Sequence, residues 1–497
     1  MARRRMSRSK TLFTRAGVFV IVFIAVFFGV QFFTKTGVFH VPGVVHYDDS
    51  LSEAEKNTLQ VIFTDEIVLD SDVTVSARYT LEKPELQTGE YIYNIYVPVA
   101  DFYSTDTNID ISDPNSVFIE NGISDMSYTL VPIEELDFKK KLLSLNGTYY
   151  LDSFDKGAIF RVVKFDSGKF DDEIAPLVEG EFKKDIPTKD TVLSFAQTGV
   201  TAMSRGMNKK LVEVGGDATY FSANIGDFLS GFDLTHTSNE SSFTNLATSE
   251  NICSDTRFID TLKAIGLDIV ELTGNHNQDC GIEAAEQSID IYEQNGIKIV
   301  GGGKNAEAAA VPLQIQNKGN NITMLAYNQS TGGATLGDTP GANQYYEEDA
   351  AQRITAAKER GDFVIVDIQY FECSAYVSET EDATCDYANS SAGDQVGFFR
   401  HLIDLGADMV IGTSAHQPQT FELYGNGAIY YGLGNLFFDQ VWWPGTTRSL
   451  ILGNYFYKGK LLQTKITPTA YDENMQTRIL DEETAKWFLE RLSAVRP

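Results

Sequence analysis

The second half of the chain alternates short apolar runs with amphipathic stretches, and this alternation constrains the fold more than any other feature. Apolar runs of strand length lie at 191–196, 267–272, 297–300, 322–327, 363–369, 408–412 and 428–433. Helical patterns lie between them at 258–265, 281–294, 347–360 and 395–405. Strands and helices at this spacing predict an α/β domain over residues 191–497 with a largely parallel sheet. Ligands of such sheets bind beyond the carboxyl ends of the strands.

An apolar segment without charges, residues 16–33, lies near the amino terminus. A helix of this length, at about 1.5 Å per residue, spans a bilayer core. The basic tail 1–15 precedes the segment, and no acidic residue occurs before residue 46. The positive-inside rule therefore predicts a cell-membrane protein with one transmembrane helix, a cytoplasmic amino terminus and extracytoplasmic domains. A cleaved signal peptide is the alternative.

Residues 46–188 differ in character from the alternating half. They are rich in β-branched and aromatic residues and contain few long helical patterns. This composition predicts a separate α+β domain that precedes the α/β domain. The charged, proline-bearing segment 179–190 is predicted to link the two domains.

Charge and cysteine content narrow the class of protein. The formal net charge is −29, and such a surface repels nucleic acid and other polyanions unless a cation intervenes. We therefore expect no nucleic-acid partner. Four cysteines in an extracytoplasmic domain predict oxidation. Cys373 and Cys385 flank one polar loop and are the easiest pair to close, whereas Cys253 and Cys280 could form a second bridge or stay buried thiols.

Polar side chains follow several of the predicted strands. The residues concerned are Asn239, Glu240, Asn275, His276, Gln369, Glu372, His416, Gln417, Gln419 and Asn435. Imidazole, carboxylate and amide oxygen are ligands that divalent cations accept, and a carboxylate with a histidine also suits general acid–base catalysis. A single Asn or Gln in a loop more often bonds the backbone. It is the clustering of these residues at strand ends that predicts a site.

Residues 195–440 resemble the CapA family of capsule and poly-γ-glutamate synthesis proteins, whose fold is similar to calcineurin-like metallophosphoesterases. The matching segments, in chain order, are 198–205 for the first strand and loop, Ser238-Asn239-Glu240 for Asn-Leu-Glu, Thr273-Gly274-Asn275-His276 for Asn-Asn-His, Ile368-Gln369-Tyr370 for His-Trp, Ser414-Ala415-His416 for His-Pro-His, and 431–439 for Ser-Leu-Gly-Asn-Phe. The resemblance implies a layered metallophosphoesterase-like α/β domain and a role in making a cell-envelope polymer.

Three strong ligands of the family pattern are absent from this chain. Val200 stands where the family has Asp, and Gln369 and Ser414 stand where it has histidines. A bridged pair of metal ions is therefore not expected. We expect at most one divalent metal ion, with Glu240, Asn275, His276 and His416 as its predicted ligands. A metal-free acid–base pair, or a pocket left from a lost activity, are the alternatives.

The resemblance also suggests roles for individual residues. Glu240 or Glu372 is the predicted base, and His276 and His416 polarise the electrophile directly or through a metal ion. The predicted substrate-binding residues are Asn239, Asn275, Gln369, Gln419 and Asn435.

The expected function is hydrolysis or transfer at an amide or phosphoester bond during capsule or envelope polymer synthesis. The expected partners are an anionic or glycan envelope polymer, such as poly-γ-glutamate or a polysaccharide, the membrane, and other capsule-synthesis membrane proteins. A non-catalytic polymer-binding or export factor is the main alternative. A third possibility, a solute receptor, requires a deep cleft between the domains.

Overall fold

The computed structural model describes residues 43–60, 62–63, 69, 71–115, 128–170, 174–182, 186–329, 332–335, 337–370, 394–442 and 444–497. The predicted transmembrane helix, Glu372, Cys373 and Cys385 lie outside these residues. Within them, no helix combines the length and the apolar character needed to cross a membrane.

The elements before residue 190 are mostly strands. The strands are β1 (Val45–Tyr47), β2 (Val73–Glu82), β3 (Glu90–Asp101), β4 (Asn108–Ile109), β5 (Thr129–Pro132), β6 (Lys140–Leu142), β7 (Ser144–Leu145) and β8 (Lys156–Ser167). The helices are α1 (Glu53–Gln60), α2 (Tyr150–Ser153) and α3 (Ala175–Phe182).

Strands and helices are interspersed up to residue 412, as the sequence predicts, and the described residues then form six strands in succession before the last helix. The strands are β9 (Leu193–Thr201), β10 (Leu234–Asn239), β11 (Phe243–Thr244), β12 (Ser254–Asp255), β13 (Ile269–Glu271), β14 (Lys298–Val300), β15 (Gly302–Gly303), β16 (Leu313–Asn317), β17 (Asn320–Asn328), β18 (Gly341–Ala342), β19 (Phe363–Gln369), β20 (Met409–Gly412), β21 (Phe421–Tyr424), β22 (Gly427–Tyr430), β23 (Asn435–Phe437), β24 (Arg448–Tyr457), β25 (Lys460–Ala470) and β26 (Arg478–Ile479). The helices are α4 (Gly206–Glu213), α5 (Gly226–Leu229), α6 (Ile259–Ala264), α7 (Ile282–Gln294), α8 (Ala306–Ala309), α9 (Glu347–Glu359), α10 (Gln395–Asp404) and α11 (Glu482–Ala494).

Contacts group the described residues into two compact units. The first unit contains those within Met1–Ile95, Asp113–Asn121 and Ile159–Asp185, and the second contains the rest. The apolar core of the first unit includes Leu59, Val73 and Phe165. The first unit ends at Asp185, and the described residues of 96–112 and 122–158, which the sequence assigns to the α+β domain, belong to the second unit.

The bonds that join β6 to the C-terminal part of the second unit involve one glutamine. The backbone N–H of Leu142 donates to Oε1 of Gln463 on β25 at 3.1 Å. Nε2 of Gln463 donates to the carbonyl oxygen of Lys140 at 2.7 Å. Part of the predicted α+β region therefore belongs to the same compact unit as the α/β elements.

Two mixed sheets form the centre of the second unit. One has the order β14-β13-β10-β9-β24-β25-β26, with β23 also paired to β9, and the other has the order β16-β17-β19-β20-β22-β21. The central neighbours are parallel: β9, β10, β13 and β14 in the first sheet, and β17, β19, β20 and β22 in the second. The mixed α/β class is confirmed, but the strands divide between two sheets rather than one.

The two sheets pack face to face, and helices cover their outer faces. Phe195 and Ile269 of the first sheet share a buried core with Ile365 and Met409 of the second. Helices α4, α6 and α7 bury Met207, Leu262 and Ile289 against the outer face of the first sheet. Helices α9 and α10 bury Ile354 and Phe399 against the second. The order helix, sheet, sheet, helix follows from continuous apolar strands that are buried on both faces.

Candidate functional site

Three side chains form a group that we call the histidine cluster: Glu240 directly after β10, His416 in the loop after β20, and Asn435 at the first position of β23. Nε2 of His416 lies 3.6 Å from Oε2 of Glu240, and Nδ1 lies 3.0 Å from Oδ1 of Asn435. Glu240 is fully buried, and its carboxylate oxygens have no hydrogen-bond donor among the described residues. A carboxylate removed from water in this way is costly unless a proton or a cation neutralises it.

Asn435 fixes which nitrogen of His416 faces Glu240. Its Nδ2 donates to Oε1 of Gln440 at 3.1 Å and to the carbonyl oxygen of Thr446 at 3.0 Å. Oδ1 of Asn435 is therefore the acceptor of the bond to His416, and Nδ1 of His416 carries the donated proton. The other nitrogen, Nε2, faces the carboxylate with a lone pair or a second proton. The pair is arranged to hold a proton or a cation between its two facing atoms.

A second group, Asn275, Gln369 and Ser414, is held together by hydrogen bonds, and we call it the amide cluster. Nε2 of Gln369 donates to Oδ1 of Asn275 at 2.9 Å and to Oγ of Ser414 at 3.0 Å. Gln369 and Ser414 are the two positions where the family pattern has histidines. The replacements therefore bond each other and engage the Asn275 oxygen, which is the atom that asparagine offers to a metal ion.

The loop between β13 and α7 passes directly beside Glu240. A Cβ atom at Gly274 would lie 2.7 Å from Cα of Glu240, so only glycine permits this approach. Asn275 follows at once, and the amide cluster is therefore adjacent in the chain to the backbone that packs on the histidine cluster.

His276 is turned toward its own loop. Its Nδ1 lies 2.7 Å from Oδ2 of Asp279, and 30% of the side chain is exposed. Among the described residues, this is its ion-pair partner, and no hydrogen bond joins it to either cluster. A disulfide between Cys280 and Cys253 anchors the end of this loop, with the Cα atoms 5.8 Å apart. Of the two alternatives for these cysteines, the bridge is the one that forms.

Two predicted substrate-binding residues are engaged elsewhere. Oδ1 of Asn239 accepts from Thr201 Oγ1 at 3.0 Å, and its Nδ2 donates to the carbonyl oxygen of Ser241 at 2.8 Å. Oε1 of Gln419 accepts from Nε2 of Gln395 on α10 at 3.2 Å. These bonds tie β10 to β9 and the loop after β20 to α10, so both side chains support the local fold.

An apolar wall stands where the family pattern places its first aspartate. Val200 is fully buried and packs with Ala202 and Phe438. The Phe438 ring lies 5.3 Å from the His416 ring and 4.9 Å from the guanidinium of Arg205. Arg205 donates to Oδ1 of Asp439 at 2.6 Å. Without a carboxylate at position 200, this wall cannot contribute a metal ligand.

Three buried ionisable side chains, His236, Glu271 and Asp367, lie between the two sheets beneath the site, and we call them the buried cluster. Nε2 of His236 on β10 lies 3.1 Å from Oδ2 of Asp367 on β19, and both side chains are almost fully buried. Glu271 on β13 accepts from the backbone N–H of Thr273 at 2.5 Å and from the Thr273 hydroxyl. Burial and the nearby Asp367 carboxylate raise the pKa of Glu271 to about 7.

This buried cluster lies directly below the loops of the site. Alternation along β19 puts Asp367 on the same face as Gln369, two residues further on. Glu271 immediately precedes the loop that carries Asn275. This cluster is not among the predicted sites, although its signal is present in the sequence: Asp367 is the single acid in the apolar strand 363–369, and Glu271 is the last residue but one of the segment 267–272.

The donor atoms of the site decide whether a metal ion fits. The described residues contain no group of three or more His, Cys, Asp or Glu side chains placed to hold one. Glu240 and His416 do face each other, and the carboxylate oxygens lack other donors. These two residues fit part of a ligand set for one cation, whereas the Asn275 oxygen is already engaged by Gln369.

The segment that carries these clusters matches a known family. The protein-family model described as "Bacterial capsule synthesis protein PGA_cap" matches residues 194–440. The chain belongs to this family through that segment. The PGA_cap segment starts in β9 and ends directly after β23, so it contains Glu240, Asn275, Gln369, His416 and Asn435.

Relatives of the PGA_cap segment come from several bacteria. The chain is 24% identical over 250 residues to the capsule biosynthesis protein CapA of Bacillus anthracis, covering 46% of this chain and 58% of that protein. It is 23% identical over 288 residues to the PGA biosynthesis protein CapA of Bacillus subtilis, covering 56% and 72%. A probable polyglutamine synthesis accessory protein of Mycobacterium tuberculosis is 27% identical over 194 residues, covering 36% and 48%. The chain thus spans little more than half of the first relative.

Solved structures with a similar chain course include two from Thermus thermophilus. A hypothetical protein has a TM-score of 0.32 and 12% identity, covering 56% of this chain and all of that chain. A second protein, TT1561, has a TM-score of 0.28 and 12% identity, covering 54% of this chain and all of that chain.

Proposed function

We propose that this protein acts outside the membrane in the synthesis of a capsule or other cell-envelope polymer. The names of two relatives give capsule biosynthesis and PGA biosynthesis as their processes. The polymer is an anionic chain such as poly-γ-glutamate, or a polysaccharide. Residues 16–33 anchor the protein in the membrane, where other capsule-synthesis proteins are its partners. Family membership and the apolar, base-flanked segment support this proposal.

The reaction we propose is hydrolysis or transfer at an amide or phosphoester bond. Glu240 accepts a proton from water or from an acceptor amine as that group attacks. His416 donates the proton on its Nε2 to the leaving group. Its Nδ1 meanwhile stays hydrogen-bonded as a donor to Oδ1 of Asn435. The observation that carries this proposal is the buried Glu240 carboxylate, which faces Nε2 of His416 and lacks other donors.

One divalent cation is compatible with this arrangement. Glu240 and His416 would hold it, and a bound cation supplies polarisation of the electrophile and a more acidic bound water. His276 and Glu372 stay predicted as further ligands or acid–base groups, whereas the predicted ligand atom of Asn275 is engaged by Gln369. We propose no second cation, because Val200 and the amide cluster replace its ligands.

A non-catalytic polymer-binding or export factor is the second candidate. The observation that favours it is the amide cluster, in which Nε2 of Gln369 donates to Oδ1 of Asn275 and to Oγ of Ser414. Neutral amides and hydroxyls of this kind bind polar polymers but transfer no protons at neutral pH.

Polymer production by cells that carry only a variant gene separates the two candidates. Glu240→Gln keeps the size of the side chain and removes its capacity to accept a proton. An enzyme loses polymer production with this variant, whereas a binding factor retains most of it. Thermal unfolding of the purified variant must show that the fold persists.

A further inference from the structure

A cavity lies apart from both the histidine cluster and the amide cluster, between β25, α11 and the loop that follows β3. Its volume is about 140 Å³, and none of the predicted site residues lines it. Three aromatic rings form its apolar wall: Phe102 lies 5.9 Å and Tyr103 lies 6.4 Å from Phe421, measured between ring centroids. An apolar cavity of roughly 150 Å³ accommodates a benzene ring.

The charge of this cavity is opposite to that of the chain. The chain has 69 acidic and 40 basic residues, yet the described residues that line the cavity include Lys141 and Lys465 and no Asp or Glu. Lys465 is already neutralised, because its Nζ lies 2.6 Å from Oδ2 of Asp152. Lys141 is therefore the cation that the cavity offers to a ligand.

The ammonium group of Lys141 is incompletely paired. Its Nζ donates to the carbonyl oxygen of Ser104 at 2.8 Å, and an ammonium has three donors. Asp106, whose charge acts on Lys141, pairs with Lys486 at 3.6 Å. Glu482 accepts from the hydroxyl of Thr107 at 2.6 Å. The neighbouring acids are thus engaged by other groups.

The protonation of Lys141 agrees with this geometry. Burial lowers the pKa of Lys141 to about 8, although Asp106 acts in the opposite direction, and the ammonium of Lys486 lowers it further. A buried amine of this kind gains more from an anionic partner than an exposed lysine does, because water does not screen the interaction.

We propose that this cavity binds a small aromatic carboxylate, with the carboxylate on Lys141 and the ring against the wall that Phe102, Tyr103 and Phe421 form. Ser144 and Thr464 also line the cavity. This site is independent of the proposed function of the PGA_cap segment.

Binding of benzoate to the purified full chain, measured by isothermal titration calorimetry, tests the proposal. We expect wild-type protein to bind benzoate, and Lys141→Met to weaken binding about 10-fold or more through loss of a charge-assisted hydrogen bond. Lys140→Met is the matched control, since Lys140 is exposed on the same strand and should leave the affinity unchanged. Benzyl alcohol, which has the ring without the charge, should bind about 10-fold more weakly.

The pH dependence of the wild-type protein provides a measurement that needs no variant. Deprotonation of free Lys141 should weaken benzoate binding about 10-fold between pH 7 and pH 9. Equal affinities at the two pH values, equal binding by Lys141→Met, or no binding of benzoate at millimolar concentration would each overturn the proposal. Equal affinities for benzoate and benzyl alcohol would also overturn it, because they would show that the ring alone binds and that the carboxylate adds nothing.

Discussion

The histidine cluster and the amide cluster lie at the same edge of the sheets but differ in chemistry. In the histidine cluster, a buried carboxylate faces an imidazole nitrogen, and its oxygens lack donors among the described residues. In the amide cluster, Gln369 donates to both of its neighbours. The first group needs a proton or a cation to be stable in its buried position. The second group is held by its own hydrogen bonds and needs neither.

The difference shows how replacements change a site without dismantling it. Where the family pattern has strong ligands, this chain has Val200, Gln369 and Ser414. Each replacement has local contacts: Val200 packs with apolar neighbours, and Nε2 of Gln369 donates to Oγ of Ser414. The histidine cluster does not depend on these replacements, because Asn435, which holds His416, donates to the carbonyl oxygen of Thr446 in a different loop.

The largest expected effect comes from removing the facing groups of the histidine cluster. Glu240→Gln and His416→Ala should each reduce polymer production about 100-fold or more, the usual size of a general acid–base contribution. The control is His401→Ala, since His401 is an exposed histidine on α10 that pairs with Glu347 at 3.2 Å. Polymer yield from cells that carry each variant checks this. Normal yield from the double variant Glu240→Gln, His416→Ala would leave only the binding-factor function.

The next effect concerns the pH dependence of stability and comes from Glu271 in the buried cluster. The pKa of Glu271 is about 7 in the folded protein, against an ordinary value of 4.5. The folded state therefore holds the proton more tightly, so the stabilisation is complete below pH 4.5 and is lost as pH rises through 7. Relative to Glu271→Gln, the free energy of unfolding should fall by about 3 kcal/mol over this window.

Urea unfolding of the wild type and Glu271→Gln between pH 5 and pH 8 measures this difference. Glu271 faces Asp367 and His236, so Asp367→Asn should also reduce the slope with pH. Parallel stability curves for the wild type and Glu271→Gln would show that Glu271 titrates normally in the folded protein.

A smaller effect should follow from opening the amide cluster. Gln369→Leu leaves the polar groups of Asn275 and Ser414 without their donor, which should lower the free energy of unfolding by about 2 kcal/mol. The control, Gln314→Leu, places the same change at an exposed position of β16 and should alter stability little. Polymer production should fall less with Gln369→Leu than with Glu240→Gln. A larger loss with Gln369→Leu would reverse the assignment of the two clusters.

Much of the α/β unit is predictable from the sequence. The predicted strand 363–369 coincides with β19, and the predicted helices 281–294 and 347–360 agree with α7 and α9 to within one residue. These elements have unambiguous periodicity and clear ends, since Gly361 follows α9 in a left-handed conformation. The division into two sheets is not predictable in this way, because a strand buried on both faces does not reveal its neighbours.

The site is predictable in position but not in its pairings. Periodicity correctly indicates polar residues at the strand ends, yet the bonds of Gln369 depend on loops more than 40 residues away in either direction. Asn239 and Gln419 are amides, as Asn275 and Gln369 are, but their hydrogen bonds go to neighbouring groups outside the two clusters. Such choices depend on side-chain orientation, which periodicity does not determine.

The metal content of the purified protein tests the central difference between the two clusters most directly. Elemental analysis should find at most one divalent ion per chain. If an ion is bound, Glu240→Gln and His416→Ala should each lose it, whereas Gln369→Leu should retain it. Two ions per wild-type chain, or loss of the ion from Gln369→Leu with retention in Glu240→Gln, would contradict the account.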